Sequence, residues 1–383
     1  MTSTETSWVP PAGLKGVPVV GTELGAVRGS EGFFHYRQYD GCQLARDHDV
    51  ETIWRVLVDG GAPGDTAAQA AFGAELAALR AVPRALQELA AALPRDVAPL
   101  DGARALLAAL RTADAVPPLL DQTPTERRRT ALRVGATWPL LVGMAWRRAQ
   151  GLPPLMGAPP AELGHAAVVL WALSGEVPAP ARAEALDTYL GLTVDHGLNA
   201  STFATRVVAS TGADLVGCVL AGLSALSGPL HGGAPARVLE MLDAIGPAAN
   251  AAAFAATELA AGRRLMGFGH AVYRTTDPRS DLLREVAAAL VAERAAQAQA
   301  IETTLLAALR AAKPDRVLAT NVEYYAAVVL EGCGLPPALC TPMFACARII
   351  GWGAHAVEQA HDGVLFRPKA RYVGPPPAAL SQA

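Results

Sequence analysis

Apolar residues recur along most of this chain at helical rather than alternating spacing, and prolines divide the pattern into segments of moderate length. Within residues 281–313, Leu283, Val286 and Leu290 share a face, and Ile301, Leu305 and Leu309 repeat the spacing. One long helix or a broken pair is expected there. Thr123-Pro124-Thr125-Glu126 has the form of a helix start, with a threonine cap, proline at the first helical position and glutamate three residues after the cap. The helix it opens is expected to bend near Pro139. Further prolines at 94, 117, 153, 178, 229, 247, 278 and 336 punctuate the rest. Strand candidates are confined to the N-terminal region, where Val19-Val20-Gly21 and Gly25-Ala26-Val27-Arg28-Gly29 flank a turn. The expected class is mainly α: many packed helices, no internal repeat and no coiled coil.

Composition agrees with a globular chain. Apolar residues make up 51% and charged residues 17%, which excludes disorder, and 383 residues can bury a large core in one or two domains. The uncharged run from Leu215 to Leu230 spans 16 residues. A bilayer needs roughly 20, so the run reads as a buried helix and no membrane partner is expected. The net charge is −3, and Glu126-Arg127-Arg128-Arg129, the densest positive cluster, reads as a solvated helix face rather than a nucleic-acid patch. Five cysteines at irregular spacing make no C-x-x-C pair and no metal-finger pattern, which points to reduced, mostly buried thiols. With no signal-peptide pattern in Met1-Thr2-Ser3-Thr4-Glu5-Thr6, a cytoplasmic location is expected. The tail from Pro375 to Ala378 is expected to cross the surface or fray.

Candidate chemistry gathers around three histidine motifs: Asp195-His196-Gly197-Leu198-Asn199, Gly228-Pro229-Leu230-His231-Gly232-Gly233 and Gly267-Phe268-Gly269-His270. Beside His231 and His270, glycines let the backbone approach a ligand and aim amide N–H groups at it. His35, His48, His165 and His361 keep the default structural reading, and His355, three residues before Glu358, reads as a satisfied core histidine. Glu323 offers a base, and Arg279, Arg348 and Arg367 offer carboxylate-binding forks. Gly267 and Gly269 lack the continuation of a nucleotide fingerprint, and no Walker loop, G-x-S-x-G elbow or metal-ligand cluster occurs. The inventory suits acid–base chemistry without a metal or permanently bound cofactor, making a carbanion and adding it to a small polyanionic acid.

Several long motifs in register resemble the citrate synthase family: Ser227 to Pro235, Gly267 to Arg279, Asp195 to Thr202, and the stretch from Asn321 through Arg348-Ile349-Ile350-Gly351-Trp352 to Gly374. The similarity is clear over residues 185–375 and thinner before, where Phe33-Phe34-His35-Tyr36-Arg37 echoes an N-terminal family motif. The resemblance implies a multi-helical homodimer. Its large domain would comprise residues 1–231 and 330–383, and a smaller mobile domain, residues 232–329, would close over the active site. It implies that Glu323 removes the α-proton of acetyl-CoA, His231 stabilises the enolate, and His270 polarises and protonates the ketone oxygen of oxaloacetate. His196, Arg279 and Arg348 would hold oxaloacetate, and Arg367 would reach across the dimer. Gly267, Phe268, Gly269 and Asn321 would face coenzyme A. Acyl-CoA is then a co-substrate, acetyl-CoA for citrate synthase or propionyl-CoA for 2-methylcitrate synthase; a non-catalytic paralogue binding acyl-CoA or oxaloacetate is the remaining alternative. The chain has the length of the short dimeric members, so no NADH inhibition is expected.

Departures from the family pattern are specific. Asn321-Val322-Glu323 stands where Asn-Val-Asp is usual, which adds a methylene to the base. Gln38, Gly197, Pro235, Ala271 and Thr320 replace the family's usual glycine, glutamate, asparagine, arginine and proline, and Ala98-Pro99-Leu100 stands for His-Pro-Met. None removes a named catalytic group.

Overall fold

Helix starts in this chain are set by short polar side chains. In the computed structural model, Asp40, Asp49, Asp65, Thr123, Asn199, Asp214, Asp277 and Asn321 each accept a backbone N–H from the first turn of the helix that follows. The structure describes residues 11–375 except Met156, Leu230, Gly233, Ala271 and Val317, and the side chain of Ala234. The expectations for the extreme N-terminus, for Leu230, Gly233 and Ala271 within their motifs, and for the tail beyond Pro375 therefore lie outside the described residues. Sixteen α-helices and one three-stranded antiparallel sheet form among the described residues, in agreement with a mainly α class.

The Pro124–Ala149 helix opens on a full capping box: Thr123 and Glu126 satisfy each other's backbone N–H groups. It is one unbroken helix through Pro139, so that proline does not punctuate two segments. Its buried residues include Trp138, and it packs against the long C-terminal helix, Pro337–Asp362. That last helix also touches Pro180–Thr193, Ala200–Ala209 and Leu215–Leu226, so it forms the spine on which the site is hung. The Leu215–Leu226 helix is buried as expected. No single helix among the described residues is long and apolar enough to cross a membrane. Four cysteines are buried, Cys42 is half-buried and all five are free.

Two expectations are corrected. The Gly25–Arg28 strand pairs with Phe33–Tyr36, not with residues 19–21, which have no strand structure. Burial explains the choice: Phe34 and Tyr36 alternate inward and bury aromatic rings, which Val19 and Val20 do not. The basic cluster is not simply a solvated face. Arg127 donates to the carbonyls of Leu119 and Ala360, and Arg128 pairs with Asp59 and Glu75. Of the two readings for 281–313, the broken pair holds: Pro278–Leu290 and Ala292–Ala312 join at Val291, whose φ of −143° and ψ of 64° end the first helix.

Candidate active site

The site residues come from five segments. His196 follows the Pro180–Thr193 helix, His231 follows Leu215–Leu226, and His270 lies between Ala251–Ala260 and Pro278–Leu290. Arg279 and Glu323 are each the second residue of a helix, Pro278–Leu290 and Val322–Gly332, while Arg348 projects from the middle of the last helix. A side chain in the first turn of a capped helix has little freedom, and the N-terminal dipole favours a carboxylate such as Glu323 there.

His270 is the best-defined donor. Its Nδ1 accepts the backbone N–H groups of Val272 and Tyr273, both at 3.0 Å, which leaves the ring proton on Nε2. Nε2 lies 3.4 Å from Arg279 Nη2, so the guanidinium stands beside the ring proton. Burial, then Arg279, pushes the His270 pKa down to about 4, and the ring is neutral at pH 7. His196 meets His270 edge-on, with ring centroids 5.4 Å apart, and its Nε2 shares a 3.0 Å hydrogen bond with the Tyr273 hydroxyl. Burial and Arg279 hold it well below the usual histidine range.

Arg279 is fixed by Asp277. The buried carboxylate accepts Nε at 3.0 Å, Nη2 at 2.8 Å and the Arg279 backbone N–H at 3.1 Å. Its second oxygen also accepts the N–H of Val322 at 3.0 Å, which ties the start of the Arg279 helix to the start of the Glu323 helix. Glu323 itself is half-buried, and burial pushes its pKa up to about 7, with Arg279 pulling the other way. A carboxylate poised there is a far better base near neutral pH than an exposed one.

Arg348 is 2% exposed, donates Nε to the Thr193 carbonyl at 3.1 Å and forms no ion pair among the described residues. Burial works against its charge, and Asp195 is the nearest compensation. An uncompensated buried guanidinium is costly, so the position is primed for a carboxylate ligand. Asp195 is already engaged, by the Gly197 N–H and by His355, which in turn meets buried Arg206. His355 is thus the satisfied core histidine expected. Close contact seats this loop: a Cβ on Gly351 would collide with the Val194 carbonyl oxygen.

His231 Nε2 is 2.8 Å from the Ser201 hydroxyl. Asn199 Oδ1 is close enough to accept that hydroxyl too, but it already caps the helix through the N–H groups of Ser201 and Thr202. The serine has one proton for two acceptors: donated to Nε2 it places the imidazole proton on Nδ1, and donated to Asn199 it leaves that proton on Nε2. Burial, then Arg348, lowers the His231 pKa to about 4.

Gly267 and Gly269 have φ of 80° and 82°, which a side chain would strain. A Cβ on Gly267 would also stand 2.8 Å from the Tyr324 ring. The loop is laced to residues 319–321: Asn321 N–H to Gly267 O at 2.9 Å, Gly269 N–H to Ala319 O at 2.8 Å, and Asn321 Nδ2 to Gly269 O at 2.9 Å. Phe268 bridges Thr320 and meets Tyr324 with ring centroids 5.3 Å apart.

Arg367 stands apart in connectivity. It is exposed beyond the last helix and makes no hydrogen bond or ion pair among the described residues; its neighbour Phe366 packs on Phe203. The sequence did not point to Asp277, Ser201 or Tyr273. Asp277 carried a readable signal, an N-cap aspartate before Pro278, but its grip on Arg279 and Val322 is tertiary.

A family model described as citrate synthase, C-terminal domain, matches residues 13–369. The chain belongs to the citrate synthase family. Among citrate synthase relatives, the citrate synthase of Deinococcus radiodurans is 35% identical over 94% of this chain and 95% of its own. The putative citrate synthase 2 of Mycobacterium tuberculosis is 50% identical over 52% of this chain, and the match spans 54%, about half, of that relative. The citrate synthase of Thermoplasma acidophilum, solved as a ternary complex with carboxymethyl coenzyme A and oxaloacetate, superposes with a TM-score of 0.87 at 26% identity, covering 97% of each chain.

Proposed function

We propose that this chain condenses acetyl-CoA with oxaloacetate and water to give citrate and free coenzyme A. The observation that supports the reading is the place of Arg279: it lies 3.4 Å from His270 Nε2, its charge acts on the near-neutral carboxylate of Glu323, and Asp277 ties its helix to the start of the Glu323 helix. Arg279, Arg348 and His196 hold the oxaloacetate carboxylates, with its ketone oxygen at the His270 proton. Glu323 takes a methyl proton from the thioester while the Nδ1–H of His231 donates to the developing enolate oxygen. One such donor is worth about 3–4 kcal/mol of barrier. The enolate carbon then bonds the ketone carbon, the alkoxide takes its proton from His270, and water cleaves citryl-CoA to release the thiol.

Gly267 to Gly269 and Asn321 form the coenzyme A side of the cleft. The five helices between residues 234 and 332 pack on one another, which supports residues 232–329 as a smaller domain that closes on the larger one, 1–231 with 330–383. Closure would exclude water until the C–C bond forms. The working form is a homodimer in the cytoplasm. Exposed Val364, Leu365, Tyr372 and Val373 flank Arg367 and offer an apolar strip by which the C-terminal segment would lie on the partner and deliver Arg367 to its substrate.

The test is thiol release from acetyl-CoA, and separately from propionyl-CoA, with and without oxaloacetate, for wild type and Glu323→Gln. Oxaloacetate-dependent release lost in Glu323→Gln is expected. No release with either thioester, despite oxaloacetate binding, would overturn the reading. The acyl pocket discriminates one methylene by only about 1–3 kcal/mol, so the ratio of the two rates assigns the physiological acyl group.

A further inference from the structure

A cavity of about 590 Å³ shares no lining residue with the site above. It opens between the Arg84–Ala92, Pro124–Ala149 and His165–Ser174 helices and the proline-rich loop that follows Ala149. Leu140, Met144, Leu155 and Trp171 give it apolar walls, and four arginines but no acidic residue line it. Arg80 is neutralised by Glu51 at 2.7 Å. The other three have no carboxylate partner among the described residues. Arg147, only 7% exposed, donates to the carbonyls of Pro153 and Leu173; Arg148 donates Nε to Leu93 O; Arg95 makes no side-chain hydrogen bond.

A buried guanidinium satisfied only by carbonyls keeps an uncompensated charge, and two more cations beside it raise the local potential. A cavity of this size falls within the range of small-molecule sites, and its walls would penalise a fully polar polyanion by desolvation. We propose that it is a second binding site, for a carboxylate with an apolar body, of which a medium-chain fatty acid is the simplest case. The carboxylate would pair with Arg147 and Arg148, and the chain would lie along Met144, Leu140 and Trp171.

Titration calorimetry with decanoate, and with decanol as the uncharged analogue, tests this. One decanoate per chain is expected, with decanol binding at least about tenfold more weakly because a charge-assisted hydrogen bond is lost. Arg95→Gln/Arg148→Gln, at exposed and half-buried positions respectively, should weaken decanoate about tenfold without lowering the melting midpoint, and should leave decanol unchanged. Saturating oxaloacetate and coenzyme A should not displace the ligand. Equal affinity for decanol, an unaltered double variant, displacement by the substrates, or no saturable binding would each overturn the proposal.

Discussion

Replacing Asp277 by asparagine removes a charge while keeping the shape. The native carboxylate accepts four hydrogen bonds, two on each oxygen, from Arg279 and from the Val322 backbone. Asparagine keeps one acceptor oxygen. Its amide then faces either Arg279 Nη2 and the Val322 N–H, or the Arg279 backbone and Nε, so donor meets donor. Arg279 meanwhile loses its ion-pair partner in a fully buried position. Removing one member of a buried pair costs about 3–5 kcal/mol. Asp281→Asn, which breaks the half-exposed pair with Arg284, is the control and should cost no more than about 1 kcal/mol. Denaturant midpoints report the difference in stability. Kinetics report the positioning: in the proposed mechanism Arg279 holds the oxo-acid, so the KM for oxaloacetate should rise by a larger factor than that for acetyl-CoA. An Asp277→Asn protein no less stable than Asp281→Asn, with an unchanged KM for oxaloacetate, would refute the view that Asp277 holds Arg279 and the Glu323 helix together.

Glu323 must be ionised to act, and its pKa is raised to about 7, so kcat/KM should fall as pH drops through 7; a profile flat down to pH 5 would contradict that. Ser201→Ala removes the hydroxyl that holds the His231 tautomer but leaves the Asn199 cap, so kcat should drop about tenfold with the melting midpoint nearly unchanged, as paired kinetics and calorimetry would show. Gly351→Ala drives a methyl into the Val194 carbonyl; a loss of about 1–3 kcal/mol by chemical denaturation and a weaker oxaloacetate affinity are expected together.

Local chemistry was legible in the sequence wherever it stayed local. The capping box at Thr123 was read correctly because its partners lie three residues apart. The burial of His355 and of the Leu215–Leu226 helix followed from composition and spacing. The strand partner was missed because Phe33–Tyr36 was read as a motif, while Val19 and Val20 had propensity but are less buried than Phe34 and Tyr36. The histidines, arginines and Glu323 were singled out through motif resemblance, whereas Asp277 and Ser201 were not, because their partners are fixed only by the meeting of distant helices. The second cavity is assembled from segments up to ninety residues apart, from Arg80 to Trp171, and no spacing rule reveals it.

The lacing of the Gly267–Gly269 loop to residues 319–321 has an evolutionary meaning as well as a mechanical one. In the proposed mechanism the loop that faces the thioester and the base that attacks it ride on a single frame, so neither can drift without carrying the other. A base one methylene longer therefore reaches about an ångström farther over a loop that cannot withdraw from it, and a shift of the frame as a body changes nothing between them. The compensation for glutamate in place of aspartate must lie in how the thioester seats on the loop or in the rotamer of the base.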